Sequence, residues 1–550
     1  MTMLGLMQQQ DLLISQLIEH AATHHGQVEI VSHVSDSRSY RTTWGEVRQR
    51  AKRLANALTD LGVQPGQRIA TLAWNTHRHL ELYFAVAGMG AVSHTVNPRL
   101  FAEQISYIIN HAADEYVFFD LGFADQLVAI ADQLPTVKGF VALCERSELP
   151  DIALPNLLCY EDLIEQASPD FEWPALDENT ASSLCYTSGT TGNPKGVLYS
   201  HRSTLLHAWT ACTVDGLALS TRDSVLLAVP MFHVNAWGIP YAAAMCGAKL
   251  VLPGPGVSGE RLYAHMLNEG CTFSLGVPTV WLGFFQYIES QRESLDLKQL
   301  KLQRVVVGGS AAPRAMIEKF QTLLDTYVIQ AWGMTETSPL ATIGNLLPAQ
   351  QDLPLAQRFD IQARQGRAIF GIEVGIFSPE GERLPHDGKR VGEIKVRGPW
   401  VVSAYYGDQA GAALGAGGWF ATGDVALIDS DGFVQITDRT KDVIKSGGEW
   451  ISSIDLENVA VGHPKVQEAA VIGVAHSKWQ ERPLLIVVPK TGECITAAEM
   501  TDFMQDRVAR WWLPDDVVFV DALPHTATGK LLKTQLREQF KGHRLSTDPV

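Results

Sequence analysis

The stretch that decides the fold is Tyr186-Thr187-Ser188-Gly189-Thr190-Thr191-Gly192-Asn193-Pro194-Lys195-Gly196. It contains four Ser/Thr hydroxyl groups, three glycines and one lysine. Apolar runs flank it, with Leu184-Cys185-Tyr186 before it and Val197-Leu198-Tyr199 after it, and this pattern predicts a strand, a polar loop and a second strand. Glycines allow a loop to turn tightly and point its N–H groups inward, while hydroxyls and a lysine add further donors. Such a loop suits a polyphosphate.

The loop is distinct from a Walker A loop, because no Gly-Lys-Ser/Thr sequence follows its glycines and no helix is predicted to begin there. The plain alternative is an ordinary hairpin rich in glycine and threonine. The complete string, closed by Pro194-Lys195-Gly196, argues against that alternative.

Five further motifs follow the loop in order along the chain. They are Met231-Phe232-His233-Val234-Asn235-Ala236-Trp237, Ala331-Trp332-Gly333-Met334-Thr335-Glu336, Thr422-Gly423-Asp424, Asp438-Arg439-Thr440-Lys441-Asp442 and Thr528-Gly529-Lys530. With the loop, they resemble the motifs of the adenylate-forming superfamily, which includes acyl-CoA synthetases, luciferases and the adenylation domains of peptide synthetases. The chain looks most similar to acyl-CoA ligases for short- and medium-chain fatty acids, including 3-methylmercaptopropionate-CoA ligases. Met3-Leu4-Gly5 and Gly447-Gly448-Glu449-Trp450 indicate that branch.

Length and composition exclude several classes of protein. A chain of 550 residues exceeds one ordinary core, so two or more domains are expected. The composition, 46% hydrophobic and 19% charged, is globular, and a net charge of −16 argues against nucleic-acid binding. No apolar run approaches the roughly 18 residues of a spanning helix, and the N-terminus carries no secretory signal pattern. Seven scattered cysteines favour reduced thiols and hence a cytoplasmic protein.

Hydrophobic periodicity predicts an α/β fold. One helical face is formed by Ile14, Leu17, Ile18 and Ala21, and Thr43 with Glu46 has the spacing of a capping box before a second helix. From position 224, strands alternate with helices, which predicts βαβ units and a largely parallel sheet. The predicted strands are 225–229, 249–252, 272–277, 304–307 and 327–331, and the predicted helices are 237–246, 261–268, 280–288 and 314–324.

Turn residues become dense after about position 371, and short strands are predicted at 393–396 and 433–436. We therefore expect a large N-terminal adenylation domain at 1–438, made of parallel βαβ sheets, with a β-rich subdomain at about 371–438. A small, mobile α+β C-terminal lid domain is expected at 439–550.

The resemblance implies a reaction in two steps. A carboxylate attacks the α-phosphate of ATP to give acyl-AMP and pyrophosphate, and the thiol of coenzyme A then displaces AMP. The carboxylate is already ionised near neutral pH, so the first step needs alignment and charge neutralisation rather than a general base. No base for the CoA thiol stands out in the sequence.

The resemblance also implies the groups that contact the phosphates. Thr187, Ser188, Gly189, Thr190, Thr191, Gly192 and Lys195 would hold the β- and γ-phosphates, and Thr335 would contact phosphate. Glu336 would bind Mg²⁺, a hard cation suited to carboxylate and phosphate oxygens. The alternative for Glu336 is a solvated turn residue.

For the nucleoside, the resemblance implies that adenine lies between the backbone of 308–312 and Trp332. The residues expected to bind the nucleotide there are Gly309, Ser310, Ala311, Ala331, Trp332, Gly333 and Met334. Asp424 would accept the ribose hydroxyls, with help from Arg439. Many relatives have Tyr where this chain has Trp332, so a stacking face is kept and a hydroxyl is lost. Simple alternatives are a core tryptophan and a turn aspartate.

On the acid side, the resemblance makes His233 a gate between the ATP and acid sites. Trp237, one helical turn later, would line the acyl pocket with Val234, Gly308 and Pro339. A structural histidine and a core tryptophan are the alternatives.

In the C-terminal part, Lys530 would swing in during adenylation to neutralise charge, and Lys441 occupies the hinge position of the family. Rotation about the hinge would then present Lys445, Gly447, Gly448, Glu449 and Trp450 to coenzyme A. Two glycines allow close approach of the pantetheine arm.

The expected substrates are a small carboxylic acid, ATP and coenzyme A, with Mg²⁺ as cofactor, and a homodimer is expected. Three other functions stay open: an acyl-AMP ligase that loads a carrier protein, a luciferase-like oxygenase, and an inactive nucleotide-binding regulatory protein. All of Lys195, Thr335, Glu336, Asp424, Arg439 and Lys530 are present, which argues against the inactive protein.

Overall fold

The computed structural model describes residues 3, 5–35, 38–187, 193–439, 441–446, 449–525 and 531–548. The chain divides into two units. The first comprises Met1–Ser274, Met334–Leu340 and Pro399–Ala413, and the second comprises Leu275–Gly333, Ala341–Gly398 and Leu414–Val550. Within the described ranges, no helix combines the length and the apolar character needed to cross a membrane.

The first unit contains a mostly parallel sheet. In spatial order its strands are Leu157–Cys159, Gly139–Ala142, Tyr116–Phe119, Arg68–Leu72, Val92–Thr95, Ala181–Thr187 and Lys195–Ser200. Every neighbouring pair is parallel except the last, which is antiparallel. The strand–loop–strand pattern read around residues 187–195 is thus confirmed on both sides of the loop.

A second set of strands in this unit pairs in the order Ser224–Leu226, Lys249–Leu252, Glu29–His33 and Ser39–Thr43. On its other side Ser224–Leu226 pairs with Phe273 and Ser274, the part of the strand Phe273–Gly276 that belongs to this unit. The pairs are parallel up to Glu29–His33, which forms an antiparallel hairpin with Ser39–Thr43. Parallel neighbours need long crossover connections, and helices supply them here. The parallel βαβ architecture expected from the alternating pattern is therefore confirmed.

The helices of the first unit are Ile14–His25, Trp44–Asp60, His77–Gly88, Ala102–Ala112, Ala124–Val128, Tyr160–Gln166, His201–Cys212, Ile239–Cys246 and Gly259–Glu269. The predicted face of the first helix is buried throughout. The predicted capping box is also present, since Thr43 accepts from the Glu46 N–H while the Glu46 carboxylate accepts from the Thr43 N–H.

The helix His77–Gly88 is buried along its whole length, including its charged residues. Glu81 is fully buried and accepts from Arg50 at 2.7 Å and from the Tyr160 hydroxyl at 2.5 Å. Arg78 pairs with Glu161 at 2.6 Å. Because each buried charge has a partner, this helix can occupy the centre of the unit.

The second unit contains the parallel pair Arg304–Val307 and Tyr327–Gly333, and the antiparallel pairing of Leu340–Ile343 with Arg367–Ala368. Its helices are Pro278–Ser290, Arg314–Leu324, Pro348–Gln351, Leu355–Gln362, Ser453–Val461, Ala497–Gln505 and Lys533–Gln539. The predicted strand 304–307 and helix 314–324 are confirmed residue for residue.

The β-rich region expected after about position 371 is confirmed as an antiparallel sheet of Glu373–Phe377, Gly392–Arg397, Phe420–Ile428 and Val434–Arg439. A further sheet follows, built from Glu449–Ile451, Ile444–Ser446, Gln480–Pro489 and Val466–His476, with Asp516–Phe519 parallel to Gln480–Pro489. With its helices it forms the smaller C-terminal β/α part. The boundary at 438/439 stays a prediction.

Short 3₁₀ segments complete the described secondary structure. They are Leu121–Phe123, Ala131–Gln133, Arg146–Glu148, Leu297–Gln299, Thr335–Thr337, Ala416–Gly418 and Arg510–Trp512.

Two predicted strands are shorter than expected, and the prediction of 272–277 corresponds to Phe273–Gly276. The prediction of 225–229 corresponds to Ser224–Leu226, because the following backbone binds the side chain of Asn75. The Asn75 amide donates to the carbonyls of Leu227 and Val229, both at 2.8 Å, and its oxygen accepts from the Met231 N–H at 2.7 Å. This clamp fixes the segment that leads to His233.

Several buried histidines are held neutral by their surroundings. Burial lowers the pKa of His79 to about 4, and its two nitrogens already bond to the Thr71 hydroxyl and the Trp74 carbonyl, each at 3.0 Å. Burial also lowers the pKa of His201, His207 and His265 to about 4. Below pH 6.5 the unfolded chain therefore binds protons that the folded protein does not, so stability is lost as pH falls toward 4.

Replacing His79 with Gln should weaken this pH dependence. At pH 5, one such histidine accounts for about 2 kcal/mol of lost stability, from about 1.4 kcal/mol per pKa unit. We expect the drop in unfolding free energy between pH 7 and pH 5, measured by urea titration, to shrink by about that amount in His79→Gln. His24, an exposed histidine, serves as the control, and His24→Gln should retain the drop of the unsubstituted protein. An undiminished drop in His79→Gln would contradict the assignment.

Candidate active site

The two strands that bracket the predicted phosphate loop are held in register up to the loop itself. Thr187 pairs with Lys195, and Tyr186 pairs with Gly196. Ser188, Gly189, Thr190, Thr191 and Gly192 lie outside the described residues, so their phosphate contacts stay predictions. Lys195 is exposed, and its ammonium lies 4.7 Å from the centre of the Tyr405 ring.

Thr335 and Glu336 form a buried 3₁₀ turn with Thr337 in the first unit. The Tyr199 hydroxyl donates to the Thr335 carbonyl at 2.7 Å, which connects this turn to the strand after the phosphate loop. The Tyr405 hydroxyl donates to Glu336 Oε1 at 2.9 Å. Glu336 is 7% exposed, which contradicts the alternative of a solvated turn residue.

Tyr405 and Tyr199 were missed in reading the sequence. Neither side chain is charged or a typical metal ligand, so neither was singled out in the six motifs. Both reach the site through contacts with residues distant in sequence. In the sequence, Tyr405 is followed by Tyr406 and Gly407, and this pattern indicates no binding or catalytic role. The signal that could have found it is the need of a buried carboxylate for a donor.

In the second unit, Asp424 is gripped from two sides. Trp332 Nε1 donates to Asp424 Oδ2 at 2.9 Å, and Arg439 Nε lies 3.1 Å from Oδ1. Asp424 and Arg439 are also strand partners. From the sequence, Trp332 was expected only to lack the hydroxyl of the Tyr found in many relatives. The structure shows that its indole N–H serves as a hydrogen-bond donor to Asp424. A carboxylate has lone pairs for additional donors, so Asp424 can still accept from a ligand.

The residues expected around adenine follow two adjacent parallel strands. The segment 308–312 follows Arg304–Val307, and Ala331, Trp332 and Gly333 end the neighbouring strand, with Val307 opposite Gln330. The Gln330 side chain accepts from the Ala312 N–H at 3.3 Å, which fixes the segment. Gly309 has φ +81°, a conformation that favours glycine. Carboxyl ends of adjacent parallel strands are where open α/β sheets bind ligands. Met334, the remaining residue of this predicted set, belongs to the first unit, in the segment Met334–Leu340.

The backbone after His233 is left-handed, which corrects the expected helical turn between His233 and Trp237. Val234, Asn235, Ala236 and Trp237 have φ values of 47°, 51°, 49° and 57°. A left-handed conformation costs roughly 1–2 kcal/mol per non-glycine residue. The right-handed helix begins only at Ile239, after Gly238 at φ 75°.

Side-chain contacts of the turn offset this cost. The Asn235 amide donates to Ser183 Oγ at 2.9 Å, and the Cys185 thiol lies 3.5 Å from Asn235 Oδ1. Gly238 packs against His207, because a Cβ there would lie 2.7 Å from the ring. His207 Nε2 accepts from the Leu340 N–H at 3.2 Å, next to Pro339. Trp237 is half-buried rather than enclosed in the core, as a pocket wall requires.

The predicted CoA-facing hairpin is described only in part. Strands Ile444–Ser446 and Glu449–Ile451 pair, with Lys445 opposite Trp450, and the Lys445 side chain is exposed. Gly447, Gly448 and Lys530 lie outside the described residues, and only the backbone is described for Glu449 and Trp450. Lys441 is exposed and lies two residues after Arg439, the last residue of its strand.

Gly308 and Val234, two of the residues predicted to line the acyl pocket, are both buried.

No group of three or more His, Cys, Asp or Glu side chains that could hold a metal ion occurs in the part of the chain that the structure describes. A metal bound at Glu336 would therefore depend on oxygens from substrate and water in addition to this carboxylate. That arrangement is typical of Mg²⁺ in nucleotide sites.

Comparison with known families decides the identity of the chain. The model for AMP-binding enzymes matches residues 17–406, and the model for the AMP-binding enzyme C-terminal domain matches residues 455–530. This chain belongs to the AMP-binding enzyme family. The 3-methylmercaptopropionyl-CoA ligase of Ruegeria lacuscaerulensis is 52% identical over 539 residues, which cover 98% of this chain and 99% of that protein.

A second relative of this AMP-binding enzyme is the medium-chain-fatty-acid–CoA ligase of Ectopseudomonas oleovorans, 50% identical over 98% of each chain. Among solved structures, the anthranilate CoA ligase AuaEII in complex with anthranoyl-AMP has a TM-score of 0.83 and 23% identity, covering 96% of this chain and 97% of that chain. At that identity the likeness shows the fold alone. The family and the two relatives make the protein an AMP-forming acid–CoA ligase.

Replacing Trp332 with Phe should weaken ATP binding in this AMP-binding enzyme. The substitution keeps an aromatic face but removes the N–H that holds Asp424 Oδ2. We expect the Kd for ATP to rise about tenfold, because a hydrogen bond to a charged group contributes about 1.5–3 kcal/mol and Arg439 still restrains the other oxygen. Equilibrium titration with ATP in the absence of acid measures this.

Trp209 is 59% exposed, so Trp209→Phe is a control for loss of an indole N–H elsewhere. That variant should bind ATP as the unsubstituted enzyme does. Equal Kd values for Trp332→Phe and Trp209→Phe would contradict a role of the indole in holding Asp424.

Proposed function

We propose that this ligase joins a short- or medium-chain fatty acid, or an acid similar to 3-methylmercaptopropionate, to coenzyme A in two steps. In the first, a carboxylate oxygen bonds to the α-phosphorus of ATP and the bond to pyrophosphate breaks. In the second, the CoA sulfur bonds to the acyl carbon, the bond to AMP breaks, and the thiol proton is released. Adenylation converts an oxide leaving group into AMP.

The observation that carries this proposal is the pairing of Lys195 and Glu336 around one tyrosine in the first unit. The Lys195 ammonium lies over the Tyr405 ring, and the buried Glu336 carboxylate accepts from the Tyr405 hydroxyl. Both contacts are directly beside the strands that frame residues 188–192. A cation neutralises phosphate charge, while a single carboxylate is a suitable partner for a phosphate-bound metal.

Glu336 would hold Mg²⁺ in this proposal, and its burial with one oxygen fixed fits such a ligand. When bound, the metal supplies positive charge to the phosphates. Thr335 contacts phosphate in the same proposal, and its carbonyl is held by Tyr199. Lys195 and residues 187–192 bind the β- and γ-phosphates.

For the nucleoside, Asp424 accepts the ribose hydroxyls, and Trp332 and Arg439 hold its carboxylate in one orientation. Gly309, Ser310 and Ala311 provide backbone beside adenine, with Trp332 on the other face. One support for this assignment is that Gly309, Ser310 and Ala311 follow one of two adjacent parallel strands, while Trp332 lies at the end of the other. A second support is that both Asp424 oxygens are already oriented.

For the acid, His233 stands between the nucleotide and acyl sites, and the left-handed turn presents Val234 and Trp237 to the acyl chain. Pro339, which belongs to the same unit, also lines the pocket in this proposal. The acyl contact of Gly308 rests on the sequence resemblance alone. The Asn75 clamp before His233 and the Asn235 contacts after it support a fixed wall rather than a flexible one. The acid range is taken from the acids named for relatives that are 52% and 50% identical.

For the second step, rotation about Lys441 removes Lys530 from the phosphates and brings Lys445, Gly447, Gly448, Glu449 and Trp450 to coenzyme A. The support is the motif order in the sequence and the hairpin that connects Lys445 to Trp450. The free state of all seven cysteines supports work in a reducing cytoplasm. A homodimer also stays part of the proposal.

Release of AMP and pyrophosphate with and without coenzyme A tests the proposed reaction. Purified protein is supplied with ATP, Mg²⁺ and a panel of linear acids from acetate to hexadecanoate, together with 3-methylmercaptopropionate and benzoate. We expect CoA-dependent AMP release that is greatest with medium-chain acids or 3-methylmercaptopropionate. Pyrophosphate exchange with no CoA-dependent turnover would instead indicate carrier loading, and a maximum at benzoate or hexadecanoate would overturn the acid class.

Two substitutions separate the half-reactions. Lys530→Ala should lower acyl-AMP formation at least a hundredfold, because the charge on the reacting phosphates loses its neutralising group, and should spare thioester formation from supplied acyl-AMP. Lys441→Pro should do the reverse, since proline restricts φ at the hinge. Single-turnover assays of each step measure both. Equal loss of both steps in either variant would argue against the rotation.

A further inference from the structure

Tyr405 is the one side chain seen to touch both a predicted metal ligand and a predicted phosphate-binding cation among the described residues. Its hydroxyl donates to Glu336 Oε1 at 2.9 Å, and its ring lies 4.7 Å from Lys195 Nζ. All three residues belong to the first unit. The question is whether this tyrosine only fills space or sets the geometry of the site.

The segment that carries Tyr405 is fixed on both sides of the residue. The Val402 N–H donates to the Glu336 carbonyl at 2.8 Å, and the Tyr406 N–H donates to the Gly196 carbonyl at 2.8 Å. One anchor is thus the backbone of Glu336, and the other is the residue after Lys195. The ring of Tyr405 is held between the two groups by main-chain contacts that do not involve its own side chain.

The two contacts leave the functional atoms of both partners available. Within the described ranges, Glu336 Oε2 accepts no hydrogen bond from the protein, so orientation through Oε1 leaves an oxygen for a metal. The cation–π contact attracts the Lys195 ammonium to one ring face, and an ammonium has three N–H donors, so donors remain for a phosphate.

We propose that Tyr405 is a positioning residue that orients the Glu336 carboxylate through its hydroxyl and the Lys195 ammonium through its ring. This inference rests on the proposed function of Glu336 and Lys195. The hydroxyl governs how strongly Mg²⁺ enhances nucleotide binding, and the ring governs nucleotide binding without metal. The two roles are therefore separable by substitution.

The test compares the Kd for ATP in excess EDTA with the Kd in saturating Mg²⁺, by calorimetry on the full-length enzyme without acid. The Kd in EDTA divided by the Kd in Mg²⁺ measures the coupling between metal and nucleotide, apart from any turnover. Tyr405→Phe keeps the ring and loses the hydroxyl, so the ratio should fall about fivefold to tenfold while the Kd in EDTA stays the same. Tyr405→Leu should lower the ratio similarly and also raise the Kd in EDTA at least threefold.

Tyr406→Phe is the matched control, because its hydroxyl is directed to the Ala112 carbonyl, 3.4 Å away, rather than to the site. It should leave both constants unchanged. A general packing defect would weaken ATP binding in EDTA and in Mg²⁺ alike, so an unchanged ratio in Tyr405→Phe overturns the positioning role. If Tyr405→Leu fails to fold, the Phe variant alone decides the question.

Failure of the proposed function gives a different pattern. In that case the unsubstituted protein shows no enhancement of ATP binding by Mg²⁺, or no CoA-dependent AMP release with any acid. Enhancement by Mg²⁺ and turnover in the unsubstituted protein, with the same ratio in Tyr405→Phe, overturns the role of Tyr405 and leaves the proposed function intact.

Discussion

The antiparallel pairing of Ala181–Thr187 with Lys195–Ser200 is the constraint on which the first unit's site depends. It closes the edge of an otherwise parallel sheet and fixes both ends of the predicted phosphate loop. Three connections start from this hairpin: Tyr199 to the Thr335 carbonyl, Ser183 to Asn235, and the Gly196 carbonyl to Tyr406. Because each is buried or part-buried, a shift in strand register would displace the predicted metal ligand Glu336, the turn after His233 and the tyrosine segment together.

In each unit, neutral donors hold most of the acidic and carbonyl groups of the candidate site residues. Tyr405 binds the Glu336 carboxylate, Tyr199 binds the Thr335 carbonyl, and the Trp332 indole binds Asp424, where Arg439 is the one cationic partner seen in the described residues. The chain has 44 basic and 60 acidic residues, so cations are scarce. Using uncharged donors for internal support keeps Lys195 free of an acidic partner among the described residues, as its predicted contact with phosphate requires. It also avoids raising the desolvation cost that a second buried charge would bring.

The alternation of apolar and polar runs predicted the βαβ architecture and the β-rich region, and strand 304–307 with helix 314–324 was right to the residue. These elements were predictable because their periodicity is local. The left-handed turn was not, since Val, Ala and Trp favour other conformations and the contacts of Asn235 with Ser183 and Cys185 come from distant strands. Likewise, the contact of Tyr405 with Glu336 spans 69 positions and that of Trp332 with Asp424 spans 92, separations at which no pattern in the sequence reports proximity.

The left-handed turn at Val234–Trp237 also limits how the predicted acid pocket can be redesigned. Glycine is the residue that adopts this backbone at least cost, yet only Gly238 at its end is glycine. Random replacement at these positions would therefore favour glycine, and to a lesser degree asparagine, whatever acid is supplied, because both relax the backbone. Selection for stability would favour glycine or asparagine at these positions, while selection for specificity would favour side chains that fit the acid.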